Sequence, residues 1–161
     1  MPSIPTELDS KLIAQLHPVM QEKVTYVLVK ANGQSLFCGL HSGLRTFEKQ
    51  HGLWLLGRDE QGNVIDQSKI VTLADAGDSI HNYGLAGDIV MLVNGNWSWD
   101  YKKLPYDKLA EIAREVNLVC GYDFKKIPDP PHYQYTGGLS TKEIKELYAK
   151  GGMPAVWKSV V

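Results

Sequence analysis

The sequence has few cysteines, no block of like charges and no long apolar run, and each absence argues against a class of protein. Its two cysteines, Cys38 and Cys120, are far apart and not in a CxxC arrangement, which argues against a zinc knuckle and a disulfide framework. We expect both thiols to be buried, because free cysteine is among the most buried residue types.

The charge balance is nearly even. The 161 residues carry 17 basic and 18 acidic side chains, a formal net charge of -1. Without a basic patch or charge run, we expect no nucleic acid and no membrane as partner. No stretch approaches the roughly 18 apolar residues of a membrane span. The first residues lack a basic segment followed by an apolar run, so we expect no secretory signal and a cytoplasmic protein.

The composition that is present is that of a globular domain. Apolar residues make up 43% and charged residues 22%, close to globular averages. A chain of this length buries about two-thirds of its unfolded surface, enough for one core. We therefore predict a single domain over 1–161, in which 137–161 forms a C-terminal helix and tail.

Hydrophobic spacing in the first half predicts mainly helices. Apolar residues recur at helical spacing over 12–31, with Asp9 or Ser10 as the N-cap. Pro18 lies inside this pattern and predicts either two helices or one kinked helix. The other elements predicted for this half are a short buried strand over 35–40 and a helix over 46–56.

The second half carries the strongest strand signals. Apolar and β-branched residues over 88–93 are followed by Asn94-Gly95 and then Trp97, which predicts a β-hairpin with Asp88 at its start. The other elements predicted here are a helix over 105–117, a strand from His132 to Tyr135 and a helix over 140–150 with a capping box. We predict an α+β fold, a small antiparallel sheet with helices on its other face and ends.

Two short segments carry the candidate chemistry. His81 and Asp88 lie seven residues apart among glycines that allow tight turns, and Asp129 and His132 follow downstream. Two histidines, one ligating carboxylate and one further acid are the set that a catalytic zinc site needs. Each residue also has an ordinary explanation, since a loop histidine often bonds backbone and an aspartate often starts a turn.

The run from Ser79 to Asp88 resembles, at every fixed position, the SxHxxGxAxD pattern of zinc peptidases related to D-alanyl-D-alanine carboxypeptidases. That family includes VanY-like enzymes and bacteriophage peptidoglycan endopeptidases. The segments 121–124 and 129–133 resemble the closing motif of the L-alanyl-D-glutamate endopeptidase branch, and 42–50 resembles an upstream family segment. The resemblance covers about 10–136. Leu44 departs from the usual aromatic residue.

The resemblance implies a role for each site residue. His81, Asp88 and His132 would bind zinc, Asp129 would be the catalytic carboxylate, and Arg45 would neutralise developing charge. We expect Ser79, Asn82 and Gln50 to support the site from behind. Four aromatic residues are candidates for lining a substrate groove, although packing in the core is the alternative for each. These are Tyr83, Trp97, Trp99 and Tyr133.

The resemblance also implies a fold like that of the hedgehog domain and the D,D-peptidases, and a function. We expect a monomeric, zinc-dependent peptidoglycan hydrolase that acts on the stem peptide, with the L-alanyl-D-glutamate bond as first choice. Gln134 favours this branch, because the carboxypeptidase branch closes with ExxHxH. A phage lysis enzyme, cytoplasmic until it is released to the cell wall, fits this expectation. The alternatives are a D,D-carboxypeptidase or dipeptidase and a non-catalytic zinc-bearing binding module.

Overall fold

A computed structural model describes residues 4–161, and in this part of the chain an antiparallel sheet packs against helices. The helices are α1 (Glu7–Ile13), α2 (Pro18–Gly33), α3 (Phe47–Leu55), α4 (Tyr106–Glu115) and α5 (Thr141–Ser159). The strands are β1 (Cys38–Ser42), β2 (Ala86–Val93), β3 (Asn96–Ser98), β4 (Val119–Cys120) and β5 (His132–Gln134). The predicted α+β fold is confirmed.

The long strand β2 organises the sheet. The strand order is β1-β2-β5-β4, and β3 pairs with the second half of β2 through the hairpin predicted at Asn94-Gly95. Within this register Asp88 of β2 lies opposite Ser42 of β1 on one side and His132 of β5 on the other. The sheet thus brings together residues that are more than forty positions apart in the sequence.

The two faces of the sheet have different partners. Leu40, Ile89 and Tyr133 point into the main core, which α2 and α4 cover. Because side chains alternate between faces along a strand, Asp88 and His132 point to the opposite face. Helices α2 and α4 therefore do not cover the face that carries Asp88 and His132.

Helix α1 begins earlier than the sequence predicts. The N-cap is Thr6, not Asp9 or Ser10, and Asp9 instead closes a capping box from the third helical position. Its carboxylate accepts hydrogen bonds from the backbone N–H groups of Thr6 and Leu40, both at 2.7 Å. This aspartate is buried because it joins α1 to the edge of β1. Pro18 separates two helices, as predicted.

The C-terminal helix is longer than the sequence predicts, and its end packs against the rest of the fold. Helix α5 extends to Ser159, across a kink at Gly151 and Gly152, rather than ending near Lys150. The indole of Trp157 donates to the carbonyl of Tyr83 at 2.8 Å, and His17 bonds the carbonyl of Trp157 at 3.0 Å. The tail therefore packs against the segment that carries His81. Within residues 4–161, no helix has the length and apolar character needed to cross a membrane.

Both cysteines are free and buried, as predicted. Burial raises the pKa of the Cys38 thiol to about 12 and that of Cys120 to about 11. Neither sulfur is near the residues of the candidate site described next, so neither thiol is a candidate ligand or nucleophile.

Candidate metal centre and active-site cleft

Three side chains converge on the open face of the sheet. The Nε2 atom of His81 lies 3.2 Å from Asp88 Oδ1 and 3.2 Å from His132 Nδ1, and the last two atoms are 3.6 Å apart. Tetrahedral zinc bonds of about 2.0–2.2 Å place neighbouring donor atoms about 3.3–3.6 Å apart. The three atoms therefore have the spacing of ligands around one small metal ion.

The outer nitrogens of the two imidazoles both face hydrogen-bond acceptors. The Nδ1 atom of His81 lies 2.8 Å from the carbonyl oxygen of Gly43, and Nε2 of His132 lies 2.8 Å from Oε1 of Gln134. Both acceptors are oxygens, so each ring carries a proton on its outer nitrogen. In the neutral form of each ring the inner nitrogen is then available to ligate a metal. Two such nitrogens and a carboxylate that converge on one point are a donor set that fits zinc.

Local backbone structure holds each candidate ligand. His81 lies in a short 3-10 helix, Ile80–Tyr83, which Gly84 ends with φ at 69°, a left-handed conformation that suits glycine. Asp88 and His132 occupy directly paired positions of β2 and β5. Two of the three donors therefore sit on a rigid sheet, and the third sits on a buried turn that α5 supports.

Asp88 is ionised in this surrounding. Burial alone raises the pKa of its carboxyl, but the neighbouring imidazoles of His81 and His132 outweigh this and hold the pKa well below its usual range. Arg45 adds a cation, with Nη2 3.4 Å from Asp88 Oδ2. The carboxylate is therefore in the form that binds a metal.

Arg45 is held beside the cluster by its neighbours. It donates to Gln50 Oε1 at 2.8 Å and to Ser42 Oγ at 3.2 Å. Gln50 is fully buried and donates in turn to the carbonyl of Ala74 at 2.7 Å. Gln50 thus contacts Arg45 rather than a candidate ligand, and fixes the guanidinium between the sheet and the loop before His81.

Asn82 and Ser79, the other two residues expected to support the site, differ in their hydrogen bonds. Asn82 is buried, donates to the carbonyl of Arg45 at 2.9 Å and accepts from the N–H of Gly77 at 2.9 Å. It thereby ties the 3-10 helix to the Arg45 segment. Ser79 lines the cleft, but within residues 4–161 its hydroxyl bonds to none of the candidate ligands. Its predicted support is limited to the backbone turn, where its carbonyl accepts from the N–H of Asn82.

Asp129 lies on the wall of the same cleft and is held differently from Asp88. Its backbone N–H donates to the carbonyl of Gly121, and its own carbonyl accepts from the N–H of His132. The residue is exposed overall, but loss of water around its carboxyl in the cleft raises the pKa, and the charge of Asp88 raises it further, whereas His132 and Arg45 lower it in part. Among residues 4–161 its carboxylate oxygens accept no hydrogen bond, so they are free to bond a water molecule or a substrate.

Gly121 is required for this position of Asp129. A Cβ at residue 121 would lie 2.1 Å from the backbone oxygen of Asp129 and 3.0 Å from the Cβ of His132. Its φ is not positive, so the requirement is close approach alone. The sequence signal for this contact is the glycine in the 121–124 segment, whose reason only the fold supplies.

The four aromatic residues predicted as candidates for a substrate groove lie in different parts of the structure. Tyr83 and Tyr133 are 1% and 0% exposed, so the prediction that they contact substrate is wrong. Tyr133 follows His132 on a strand and therefore points to the core face. Tyr83 donates its hydroxyl to the carbonyl of Gly77 inside the smaller core under α5.

Trp97 is also not in the candidate site. It lines a separate apolar cavity of about 760 Å³ between α1, α2 and the β2–β3 hairpin. The carboxylate there, Asp9, is already bonded to Thr6 and Leu40. Trp99, two residues on, does line the cleft with the three candidate ligands. Of the four candidates, the structure thus places Trp99 and not Trp97 in the cleft.

The cleft has a volume of about 510 Å³, within the range of small-ligand sites. Part of its wall comes from residues that sequence reasoning missed. These are Leu53 of α3 and, in the loop after α3, Val71 and Thr72. The loop over 57–75 has no strong periodicity, so nothing in its sequence predicts a place beside the ligands. A candidate metal group, a free carboxylate and a guanidinium in one cleft are the parts of a hydrolytic site.

Comparisons with known proteins agree with this arrangement. A family model described as D-alanyl-D-alanine carboxypeptidase matches residues 73–135. The peptidoglycan L-alanyl-D-glutamate endopeptidase CwlK of Bacillus subtilis (strain 168) is 30% identical over 134 residues, which cover 78% of this chain and 77% of CwlK.

Solved structures share the fold. The L-Ala D-Glu endopeptidase ChiX of Serratia marcescens has a TM-score of 0.59 at 20% identity and covers 80% of this chain and 86% of its own. An E175A mutant of the D,D-pentapeptidase VanY, in complex with Zn(II), has a TM-score of 0.53 at 25% identity and covers 83% of this chain and 76% of its own. The protein is a metallopeptidase that belongs to the VanY-like D-alanyl-D-alanine carboxypeptidase family, on the branch of the L-alanyl-D-glutamate endopeptidases.

Proposed function

We propose that this protein is a zinc-dependent peptidoglycan hydrolase that cleaves the L-alanyl-D-glutamate bond of the stem peptide. The observation that carries the proposal is the group of His81, Asp88 and His132, whose possible ligand atoms converge in one cleft with Asp129. The choice of bond is supported by the similarity to CwlK over more than three quarters of the chain.

The metal centre would consist of His81 Nε2, Asp88 Oδ1 and His132 Nδ1. Zinc held there supplies Lewis-acid chemistry and lowers the pKa of water towards neutrality. Gly43 and Gln134 keep the two imidazoles in the tautomer that ligation needs, since each accepts the proton of an outer nitrogen.

Asp129 is the general base in this proposal. Within the described residues no group donates to its oxygens, and the residue lines the cleft, so its carboxylate can accept a proton from the attacking water. The same group then delivers that proton to the leaving amine of the glutamate residue, which restores the carboxylate. A raised pKa favours the first of these steps, because a more basic carboxylate takes the proton of the water more readily.

Arg45 stabilises the negative charge that develops on the carbonyl oxygen as water adds to it. Its guanidinium is held by Gln50 and Ser42 before substrate arrives, so no reorganisation is needed during the reaction. It also faces Asp88, which keeps it close to the metal group.

The test is digestion of purified peptidoglycan by the zinc-loaded protein, with and without chelator, followed by mass spectrometry of the released ends. New amino-terminal D-glutamate that disappears with chelator is the expected result. Cleavage elsewhere in the stem peptide, or the same cleavage in full chelation, would contradict the proposal.

A second candidate is a D,D-carboxypeptidase, which the family model over 73–135 favours by its description. Release of free D-alanine in the same digestion identifies it. Gln134 argues for the first candidate: it occupies the position where the carboxypeptidase motif places a further histidine, and here its amide oxygen bonds to His132. Action as a phage lysis enzyme and the monomeric state stay predictions from the sequence.

A further inference from the structure

The cleft also contains an aromatic residue that has no part in the chemistry proposed above. Trp99 lines the cleft beside Asp129 and the candidate ligands, yet its side chain remains 49% exposed. Apart from the two histidines, it is the aromatic residue that the cleft wall holds within residues 4–161. Because this half-exposed indole lies in the lining of the cleft, its apolar surface is available to a ligand bound there.

The ring of Trp99 is held in place by its neighbours. Its centroid lies 5.1 Å from that of His41 at an interplanar angle of 85°. His41 also packs edge-on against Trp97, with centroids 5.3 Å apart. Trp97 in turn lies over Gly39, where a Cβ would be 3.0 Å from the indole. The contact with His41 of β1, which Trp97 of β3 supports, orients the indole of Trp99 before any ligand binds. This lowers the entropic cost of binding.

The lining of the cleft is mixed in chemistry. Besides Trp99 it includes Thr141 and Asp78, which also line a shallow hollow together with Lys142 and Lys145. Lys145 pairs with Asp78. The cleft therefore offers a ligand an aromatic surface as well as polar and charged groups.

The two sides of the L-alanyl-D-glutamate bond differ in chemistry. On its amine side lies glutamate, which carries a free carboxylate. On its acyl side lies a single alanine, joined through an uncharged lactyl group to the muramoyl sugar of the glycan strand. One residue spans at most about 3.6 Å, so the sugar must lie close to the bond that is cut. The apolar C–H faces of a pyranose ring stack on aromatic rings, whose faces carry partial negative charge.

We propose that Trp99 binds the N-acetylmuramoyl ring that carries the stem peptide, so that the enzyme selects glycan-linked stem peptides over free ones. This inference rests on the proposed function, because it needs the bond next to the alanine to lie at the metal. The glycan strand would then lie at Trp99.

The experiment compares two soluble substrates with the same stem peptide, one free and one linked to a disaccharide that ends in muramic acid. We expect wild type to cleave the linked substrate with the higher kcat/KM. Trp99→Ala should lower kcat/KM on the linked substrate by about tenfold more than on the free peptide. Trp99→Phe, which keeps a ring, should restore part of this difference.

Tyr101→Ala is the matched control. Tyr101 is an aromatic residue of the same loop with similar exposure, 46%, and it lies outside both cavities. It should change neither rate, and thermal unfolding of the three variants checks that they fold. An equal effect of Trp99→Ala on the two substrates would overturn the inference while the proposed function stands. Absence of L-alanyl-D-glutamate cleavage of either substrate by wild type would overturn both.

Discussion

Within residues 4–161, histidine meets aspartate at two places, which differ in exposure and in the number of groups that converge. In one, His81 and His132 meet Asp88 on the open face of the sheet, with side chains that are 4%, 12% and 21% exposed. In the other, His51 of α3 meets Asp75 at 2.7 Å with side chains 48% and 35% exposed. A short distance between an imidazole and a carboxylate is therefore common to a candidate metal centre and to a surface pair.

The buried group and the surface pair differ in what their other ring atoms contact and in whether a third donor is present. At the buried group, carbonyl and amide oxygens accept the outer ring protons and a third donor completes the triangle. At the surface pair, the ring of His51 stacks on Trp54 and Nδ1 already contacts Asp75, and no third donor converges within residues 4–161. A metal needs several lone pairs aimed at one point, which only the first arrangement provides.

Removal of a candidate ligand should give the largest effect. His132→Ala leaves two donors, too few to hold zinc firmly, and so the metal content and the hydrolytic rate should both fall to those of the chelated protein. Metal analysis after dialysis and peptidoglycan digestion measure the two. The control is His51→Ala, which should retain full metal content. Stoichiometric zinc in His132→Ala would show that this imidazole is not a ligand.

Loss of the free carboxylate should separate catalysis from binding. Asp129→Asn keeps the shape of the side chain but cannot accept a proton, so we expect a turnover about 10²–10⁴ lower with zinc still bound. Steady-state rates on a soluble stem peptide, together with metal analysis of the same sample, check this. An Asp129→Asn protein that keeps most of its activity would remove Asp129 from the mechanism.

The partner of the outer nitrogen of His132 should have an intermediate effect. Gln134→Leu removes the acceptor that orients this ring, and we expect metal affinity to fall by about 10–100-fold. Competition with a chromogenic chelator measures the change. Gln134→Glu retains an acceptor and should lose less affinity than Gln134→Leu. If the two variants bind zinc equally well, the hydrogen bond does not contribute to affinity.

The surface pair should give the smallest effect. Asp75→Asn removes the charge opposite His51, and because both groups are well exposed, the free energy of unfolding should fall by at most about 1 kcal/mol. Denaturant unfolding in low and high salt measures this. Metal content should not change. A loss of zinc in Asp75→Asn would mean that the loop before His81 controls the metal group, and the comparison drawn above would fail.

Local signals identified much of the fold. Asn94-Gly95 predicted the hairpin because its turn needs positive φ, and Ser140 with Glu143 predicted the start of α5 through a capping box. Helix boundaries were less certain: Asp9 looks like an N-cap by residue type, but the structure uses Thr6 and buries Asp9 against Leu40. That choice depends on a strand 31 residues away, which no local pattern contains.

For a similar reason, the sequence predicted the motif residues of the candidate site better than its aromatic residues. The motif residues have fixed spacing, so His81, Asp88, Asp129 and His132 were all named, and the structure brings them into one cleft. The aromatic residues have no such spacing. Alternation along β5 already assigns Tyr133 to the face opposite His132, but no local pattern distinguishes Trp97, over Gly39, from Trp99, in the cleft.

The sequence by itself determined the type of donor and the order of elements, since these depend on residue chemistry and on periodicity within short segments. Only the tertiary structure decided which donors meet. The pairing of Asp88 with His132 comes from the register of β2 on β5, and the proton positions of His81 and His132 come from Gly43 and Gln134. A metal site depends on distances of a few ångströms between segments far apart in the chain, and packing of the whole sheet sets those distances.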